Sequence, residues 1–143
     1  MRFLYDTAVF LYARGTDHPY RQPCRAIVEA AGRGELAGEA STELVQEYVY
    51  VRLRRGGRRR DVADEARAVL GLCRNHPVEP EDTLLALTLL VSHDALSPRD
   101  TLHAATALRR GIPAIVTPDR AFDHLDGLER LDPTVALERL TRT

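Results

Sequence analysis

Short apolar runs alternate with longer stretches of helical periodicity along this chain, and no hairpin turn joins any two of the runs. Strands never linked by tight turns must be linked by crossovers, which produce a mostly parallel sheet covered on both faces. The runs are Phe3 to Tyr5, Leu36 to Ala40, Ile112 to Thr117 and Leu128 to Leu131, and Pro77 and Pro80 bracket a further brief extended piece. A first helix follows Asp6, with Val9, Phe10, Tyr12 and Ala13 at helical spacing. A second is expected from about Tyr20 to Arg33, closed by Gly32 and Gly34. Ser41 or Thr42 caps a third, running to about Leu53 with Leu44, Val45, Tyr48 and Val51 as its buried stripe. After a break at Gly56-Gly57, a fourth covers about Val62 to Cys73, and Thr83 to His93 reads as a largely buried helix. Ser97 as cap and Pro98 at the first helical position open a helix that closes at Gly111, and a short helical turn follows Asp119. The expectation is an α/β fold: a three-layer α/β/α sandwich with a mostly parallel central sheet of four to five strands, and residues 1–143 as one domain.

Composition narrows the chemistry. With 44% hydrophobic and 29% charged residues the chain reads as a globular protein, and the apolar run Leu84 to Val91 is too short to span a membrane. The opening Met1-Arg2-Phe3-Leu4-Tyr5-Asp6 enters a strand and carries an acid where a signal peptide would continue its apolar region, so a cytoplasmic location is expected. Cys24 and Cys73 form no Cys-x-x-Cys pair and read as buried small apolar residues. All 20 basic residues are arginine. Phosphate-loop NTPases need a lysine on the phosphates, and Schiff-base and pyridoxal enzymes need a lysine amine, so those classes are excluded.

Four acids far apart in sequence, Asp6, Glu47, Asp100 and Asp119, each fall where a strand meets a helix or early on a helix. An open parallel sheet gathers such positions into the crevice beyond its strand carboxyl ends. Asp100 lies in a first helical turn, where the backbone dipole favours an anion, and is expected to stay ionised. Four carboxylates within about 5 Å would repel by roughly 3 kcal/mol per pair at an effective dielectric near 20, a penalty that a dication relieves. An all-oxygen set favours Mg²⁺ or Mn²⁺ over zinc.

Four segments carry a more specific likeness: Phe3-Leu4-Tyr5-Asp6-Thr7, Ser41 through Glu47, Leu96 through Ala107 (Leu-Ser-Pro-Arg-Asp-Thr-Leu-His-Ala-Ala-Thr-Ala), and Val116 through Asp123 (Val-Thr-Pro-Asp-Arg-Ala-Phe-Asp). In order and spacing they resemble the PIN domain, and more narrowly the VapC type of bacterial toxin ribonuclease. The resemblance implies a metal-dependent endoribonuclease in which Asp6, Glu47, Asp100 and Asp119 form the catalytic set. Asp6 and Asp100 are then direct ligands of Mg²⁺ or Mn²⁺, Asp119 ligates a second ion or acts through water, and Glu47 does either or positions the attacking water. Thr7 and Thr117 are placed to orient carboxylates or a phosphate. It also implies RNA as substrate and a small antitoxin that inserts a basic residue near the acids. Ala8 stands where such proteins often carry a small polar residue. Glu43 and Asp123, each four residues from a chosen acid, are the alternatives to Glu47 and Asp119.

Other features have two readings each. Six arginines crowd the stretch from Arg52 to Arg60, and Arg54, Arg55, Arg58, Arg59 and Arg60 are candidates for RNA phosphates, or else a solvated helix end. His103 is expected to face solvent or a neighbouring hydroxyl rather than to ligate a metal. Tyr5, Tyr12, Tyr48 and Tyr50 read as core and interface surface. Leu84, Leu85, Leu87, Leu89, Leu90 and Val91 are read as core first and as a homodimer interface second. Against the nuclease stand a non-catalytic RNA- or protein-binding module of the same fold, a ribonuclease of RNA processing, and a phosphatase or receiver built on an aspartyl phosphate. The last relies on a lysine that this chain lacks.

Overall fold

A computed structural model describes residues 1–141. Five strands, β1 (Leu4–Tyr5), β2 (Glu39–Ser41), β3 (Arg74–His76), β4 (Ala114–Val116) and β5 (Glu129–Leu131), form one sheet in the order β3-β2-β1-β4-β5. Every pairing is parallel, with Leu4 opposite both Glu39 and Ile115, and Val116 opposite Leu131. Seven helices connect and cover the strands: α1 (Thr7–Arg14), α2 (Arg21–Gly32), α3 (Glu43–Arg54), α4 (Arg59–Gly71), α5 (Pro80–Ser92), α6 (Pro98–Arg109) and α7 (Pro133–Thr141). A 3₁₀ turn at Arg120–Phe122 lies between β4 and β5.

The period-two alternation of the strands sorts the core into two halves. Phe3, Tyr5, Ala114 and Val116 face one layer, where they pack with Val9 and Phe10 of α1, Ile27 of α2, Leu44 and Tyr48 of α3, Val69 of α4 and Ala136 of α7. Leu4 and Ile115 face the other, against Ala86 and Leu89 of α5 and Ala104, Ala105 and Ala107 of α6. This is the expected three-layer sandwich, with the sheet parallel throughout. Because β1 is central and the chain moves outward first to β2 and β3 and then to β4 and β5, the direction of winding reverses between β1 and β4. That reversal opens a crevice at the carboxyl ends of these two strands. Gly38, just before β2, has no room for a side chain, since a Cβ there would lie 2.0 Å from the Tyr5 ring.

Several boundaries differ from the sequence reading. β2 begins at Glu39 rather than Leu36, and its acid is buried because Arg2 and His76 both bond it at 2.8 Å. The guanidinium and imidazole hold the Glu39 carboxyl down to about 2 against the opposing effect of burial. β3 is Arg-Asn-His, before Pro77 rather than between the prolines; an edge strand needs no apolar alternation, which is why the pattern missed it. Helix α4 starts at Arg59, and α7 has no counterpart in the sequence reading. The largest correction concerns α5, expected to be largely buried. Only Asp82, Ala86 and Leu89 are buried, whereas Leu84 (66% exposed), Leu87 (54%) and Val91 (83%) point to solvent, because α5 is an outer helix leaning on α6 along one side. No described helix is long and apolar enough to cross a membrane.

Asp82 ties α5 to α6. Its fully buried carboxylate accepts from the Glu79 amide at 2.8 Å in a capping box, from Arg109 at 2.8 Å and from Arg110 at 2.8 and 3.0 Å. Burial raises its pKa, but these donors outweigh that and leave the carboxyl far below the usual range. Removing one partner of such a buried pair leaves the other charge uncompensated. Asp82→Ala should therefore lower the free energy of urea unfolding by about 3 kcal/mol, a loss that a surface substitution such as Asp64→Ala does not produce.

Candidate active site

The crevice beyond β1 and β4 is a cavity of about 410 Å³ lined by Asp6, Thr7, Glu47, Asp100 and Asp119, with Ala8, Leu11, Tyr12, Tyr20 and Pro118 completing its walls. All four acids singled out in the sequence thus meet at one place. Each arrives by a different local route. Asp6 ends β1 and starts α1, its backbone N–H donating to Val116 O at 3.1 Å. Glu47 sits one turn into α3, which the Ser41 hydroxyl helps to start by accepting from the Glu43 amide at 3.1 Å. Asp100 belongs to a capping box with Ser97: its amide donates to the Ser97 hydroxyl and its carboxylate accepts from the Ser97 amide, both at 3.2 Å. Asp119 caps the 3₁₀ turn by accepting from the Ala121 amide at 2.9 Å.

Hydroxyl groups hold two of the acids. Thr117, fully buried after β4, donates to Asp6 Oδ2 at 2.6 Å and accepts from the Asp119 amide at 3.0 Å, so one side chain links two of the carboxylate-bearing residues. Thr7 donates to Glu47 Oε1. The alternatives to the chosen acids are engaged elsewhere: Glu43 pairs with Arg99 at 3.5 Å, and Asp123 with Arg130 at 2.5 Å. Neither lines the cavity.

His103 departs from its sequence reading. It is completely buried rather than solvent-facing, with Nε2 3.1 Å from Glu47 Oε1 and 3.3 Å from the Thr7 hydroxyl; the hydroxyl neighbour is the expected one, the acid is not. The bond to Glu47 assigns the Nε2–H tautomer, and Nδ1 is buried with no partner among the described residues. A signal is present in the sequence: His103 follows Asp100 by three, on the face of α6 that also carries Ala104 and Ala107 into the core. One ligand atom each from Asp6, Glu47 and His103 lie within 4.8 Å of one another.

Crowding and burial set the protonation of the group. Burial pushes the Asp6 carboxyl up to about 6, with the charges of Asp100 and Glu47 adding to it and His103 and the Thr117 hydroxyl opposing. Asp100 is also raised, chiefly by burial, because the Ser97 hydrogen bonds do not compensate; its helix position alone does not keep it at the ordinary value. Glu47 is lowered, since the hydrogen bonds from His103 and Thr7 outweigh its own burial. His103 is raised: burial disfavours its cation, and the bond to Glu47 with the field of Asp6, Glu47 and Asp100 overcomes that. No arginine among the described residues lines the cavity, so it is an anionic bowl with one imidazole beneath it.

None of the candidate phosphate-binding arginines lines this bowl. Arg54 stacks over Tyr50 at 5.6 Å and donates to its hydroxyl, and Arg58 pairs with Asp61. Arg59 and Arg60 project from the exposed start of α4. Of the tyrosines, Tyr5 and Tyr48 are core residues and Tyr50 is surface, as expected, whereas Tyr12 lines the cavity. Cys24 is buried and Cys73 partly so, both as free thiols.

Comparison with known proteins places this geometry in context. The PIN domain profile matches residues 3–128. Ribonuclease VapC7 of Mycobacterium tuberculosis is 35% identical over 133 residues, which is 92% of this chain and 91% of that protein. Ribonuclease VapC23 of the same species is 39% identical over 123 residues, 83% of this chain and 90% of the relative. Among solved structures, a toxin-antitoxin complex from Klebsiella pneumoniae contains a chain that superposes with a TM-score of 0.67 at 13% identity, covering 93% of this chain and 98% of that one. With the profile spanning most of its length and two relatives above one-third identity, the chain belongs to the PIN domain family, among its VapC-type members.

Proposed function

We propose that this protein is a metal-dependent endoribonuclease, the toxin of a VapBC-type toxin-antitoxin pair, acting in the cytoplasm. The observation that carries the reading is the meeting of Asp6, Glu47, Asp100 and Asp119 in one cavity that no described arginine lines. The donor chemistry fits a hard dication: the wall offers four carboxylates, and the single imidazole nitrogen within reach is already occupied by Glu47 and Thr7. Asp6, Asp100 and Asp119 are the residues that would hold Mg²⁺ or Mn²⁺. The ion, when bound, supplies Lewis-acid stabilisation of phosphodiester oxygens and makes a bound water more acidic.

The remaining roles belong to the chain. Glu47 stays a carboxylate near neutral pH because His103 and Thr7 hold its pKa down, so it can accept a hydrogen bond from water and orient it. Thr117 fixes the rotamer of Asp6, and its accepted bond from the Asp119 amide sets the distance between β1 and the turn after β4. In the reaction the water oxygen bonds to phosphorus and releases a proton to solvent, the bond from phosphorus to a ribose oxygen breaks, and that oxygen takes up a proton from solvent, so the proton count is unchanged. The same unneutralised bowl suits an arginine or lysine from an antitoxin, which would silence the site by occupying it. The exposed stripe of Leu84, Leu87 and Val91 on α5 repeats at helical spacing, and we assign it to contact with a second copy of the chain.

Purified protein should cleave RNA with Mg²⁺ or Mn²⁺ and lose all cleavage in excess EDTA. Asp100→Asn should lower the rate by about 100-fold or more, and Thr117→Ala by roughly 10- to 100-fold; full activity in EDTA, or in Asp100→Asn, rules out the assigned chemistry. A second expectation concerns stability. A carboxyl raised to about 6 in the folded state favours folding below the ordinary carboxylate range and loses that contribution as pH rises through 6. Without metal at pH above 7, Asp6→Asn should therefore be more stable than the parent by up to about 3 kcal/mol. Thermal melts should show this gain shrinking as pH falls toward 4; a gain independent of pH removes Asp6 ionisation as its cause. Finally, Leu87→Glu should convert a dimer to a monomer in sedimentation velocity with little change in melting temperature, and a parent protein that sediments as a monomer disproves the pairing.

A further inference from the structure

Beside the acid bowl lies a second cavity of about 480 Å³, walled by Leu11, Tyr12, Arg14, His18, Arg52 and Arg55. Leu11 and Tyr12 line both cavities, so one side of α1 is a common wall. The two differ in charge. No carboxylate among the described residues lines the second cavity; Glu65, close by, is bonded by Arg52 at 2.8 Å and paired with Arg14 at 3.3 Å, so one anion meets two guanidinium groups. Arg55 is exposed at the C-terminal end of α3 and has no side-chain partner among the described residues. Three arginines against one carboxylate leave this cavity cationic next to an anionic one.

Aromatic rings join the two. Tyr12 lies 4.6 Å from His18 and 5.8 Å from Tyr20 between ring centroids, and His18 and Tyr20 stack at 5.9 Å with an interplanar angle of 18°. Tyr20 lines the acid bowl, His18 lines the basic cavity, and Tyr12 lines both. Tyr20 is fixed by its hydroxyl bond to Asp132 at 2.7 Å, so the cluster is anchored rather than loose. From Thr7 at the acids to Arg14 at the basic end, α1 advances roughly 10 Å, a distance on the scale of the next nucleotide or two along a strand.

We infer that the second cavity is a subsite for single-stranded RNA flanking the scissile phosphate, with Arg52 and Arg55 taking a phosphate and the Tyr12-His18-Tyr20 cluster taking an unstacked base; this rests on the ribonuclease reading. Alternation of rings and guanidinium groups over a short path is what a single strand requires, since each nucleotide brings a π-face and an anion. An acidic peptide would satisfy the arginines and leave the rings without a counterpart. A duplex would not present its base faces to them. The subsite also divides the crowded arginines into two groups: Arg52, held by Glu65, and Arg55 line the cavity, while Arg54 and Arg58 do not.

Binding of a short fluorescein-labelled single-stranded RNA of mixed sequence, measured by anisotropy over a salt series in Mg²⁺, tests the subsite. All proteins carry Asp100→Asn so that the RNA stays intact, and cleavage of the same RNA is followed separately with Asp100 restored. Arg55→Ala, which removes an exposed side chain with no described side-chain partner, should flatten the log-log salt slope by about 0.7. Tyr12→Leu, which keeps apolar bulk in the wall, should weaken binding about fivefold or more without changing that slope. Arg67→Ala, on the exposed side of α4, is the control and should change neither quantity. Parent-like affinity and slope in Arg55→Ala and Tyr12→Leu, or an equal loss in Arg67→Ala, would overturn the subsite. Cleavage by the unsubstituted protein alongside that result leaves the nuclease reading standing, whereas the expected binding losses without any cleavage overturn the nuclease reading alone.

Discussion

Burial of carboxylates is the constraint around which this end of the molecule is arranged, with their mutual repulsion adding to it. Asp6 is almost fully buried, and burial is the main cause that pushes its pKa to about 6. A fold keeps such a group only where something holds it in place and something else offsets its charge. Thr117 does the first through a 2.6 Å bond, and His103, buried beneath the cluster, contributes to the second. Because Thr117 follows β4 while Asp6 follows β1, the site depends on the parallel register of these two neighbouring strands, Leu4 with Ile115 and Tyr5 with Val116. Displacing that register by one residue would turn Thr117 to the other face of the sheet.

The acids differ in how readily they ionise although they share a cavity, and their surroundings explain why. Glu47 receives donors from both Thr7 and His103 and is lowered, whereas Asp6 and Asp100 receive fewer or weaker ones relative to their burial and are raised. The divergence follows from what each carboxylate touches, since all three share the cavity and differ in the donors that reach them. Two other buried acids, Glu39 and Asp82, show the opposite solution. Each is met directly by arginine and pushed far down, which makes it a structural tie. Pairing with arginine distinguishes these two acids from those lining the cavity, whereas burial does not.

Much of this is legible in one dimension, for identifiable reasons. The α/β class follows from apolar runs separated by helical periodicity, and the helix opened by Ser97 and Pro98 is readable because its cap chemistry is local. β3 and the buried Glu39 are not readable, because Arg-Asn-His owes its strand state to pairing with β2, and Glu39 owes its burial to Arg2 and His76 from elsewhere in the chain. The leucines of α5 mislead in the other direction. Apolar content says that a helix seeks a partner surface, and only the packing of α5 on α6 shows which side is left open.

Residue type and spacing are enough to establish the kind of fold and the roster of acids: a parallel sheet needs crossovers, and Asp6, Glu47, Asp100 and Asp119 mark element junctions. Tertiary structure alone decided between Glu47 and Glu43 and between Asp119 and Asp123 as lining of the cavity, because residues one helical turn apart have nearly the same local signature and differ only in what faces them. Arg99 and Arg130 meet Glu43 and Asp123, while the cavity is left to the other two. His103 is an intermediate case: its spacing from Asp100 puts it on the buried face of α6, but its contacts with Thr7 and Glu47 were set by packing of α6 against α1 and α3, segments far apart in the chain.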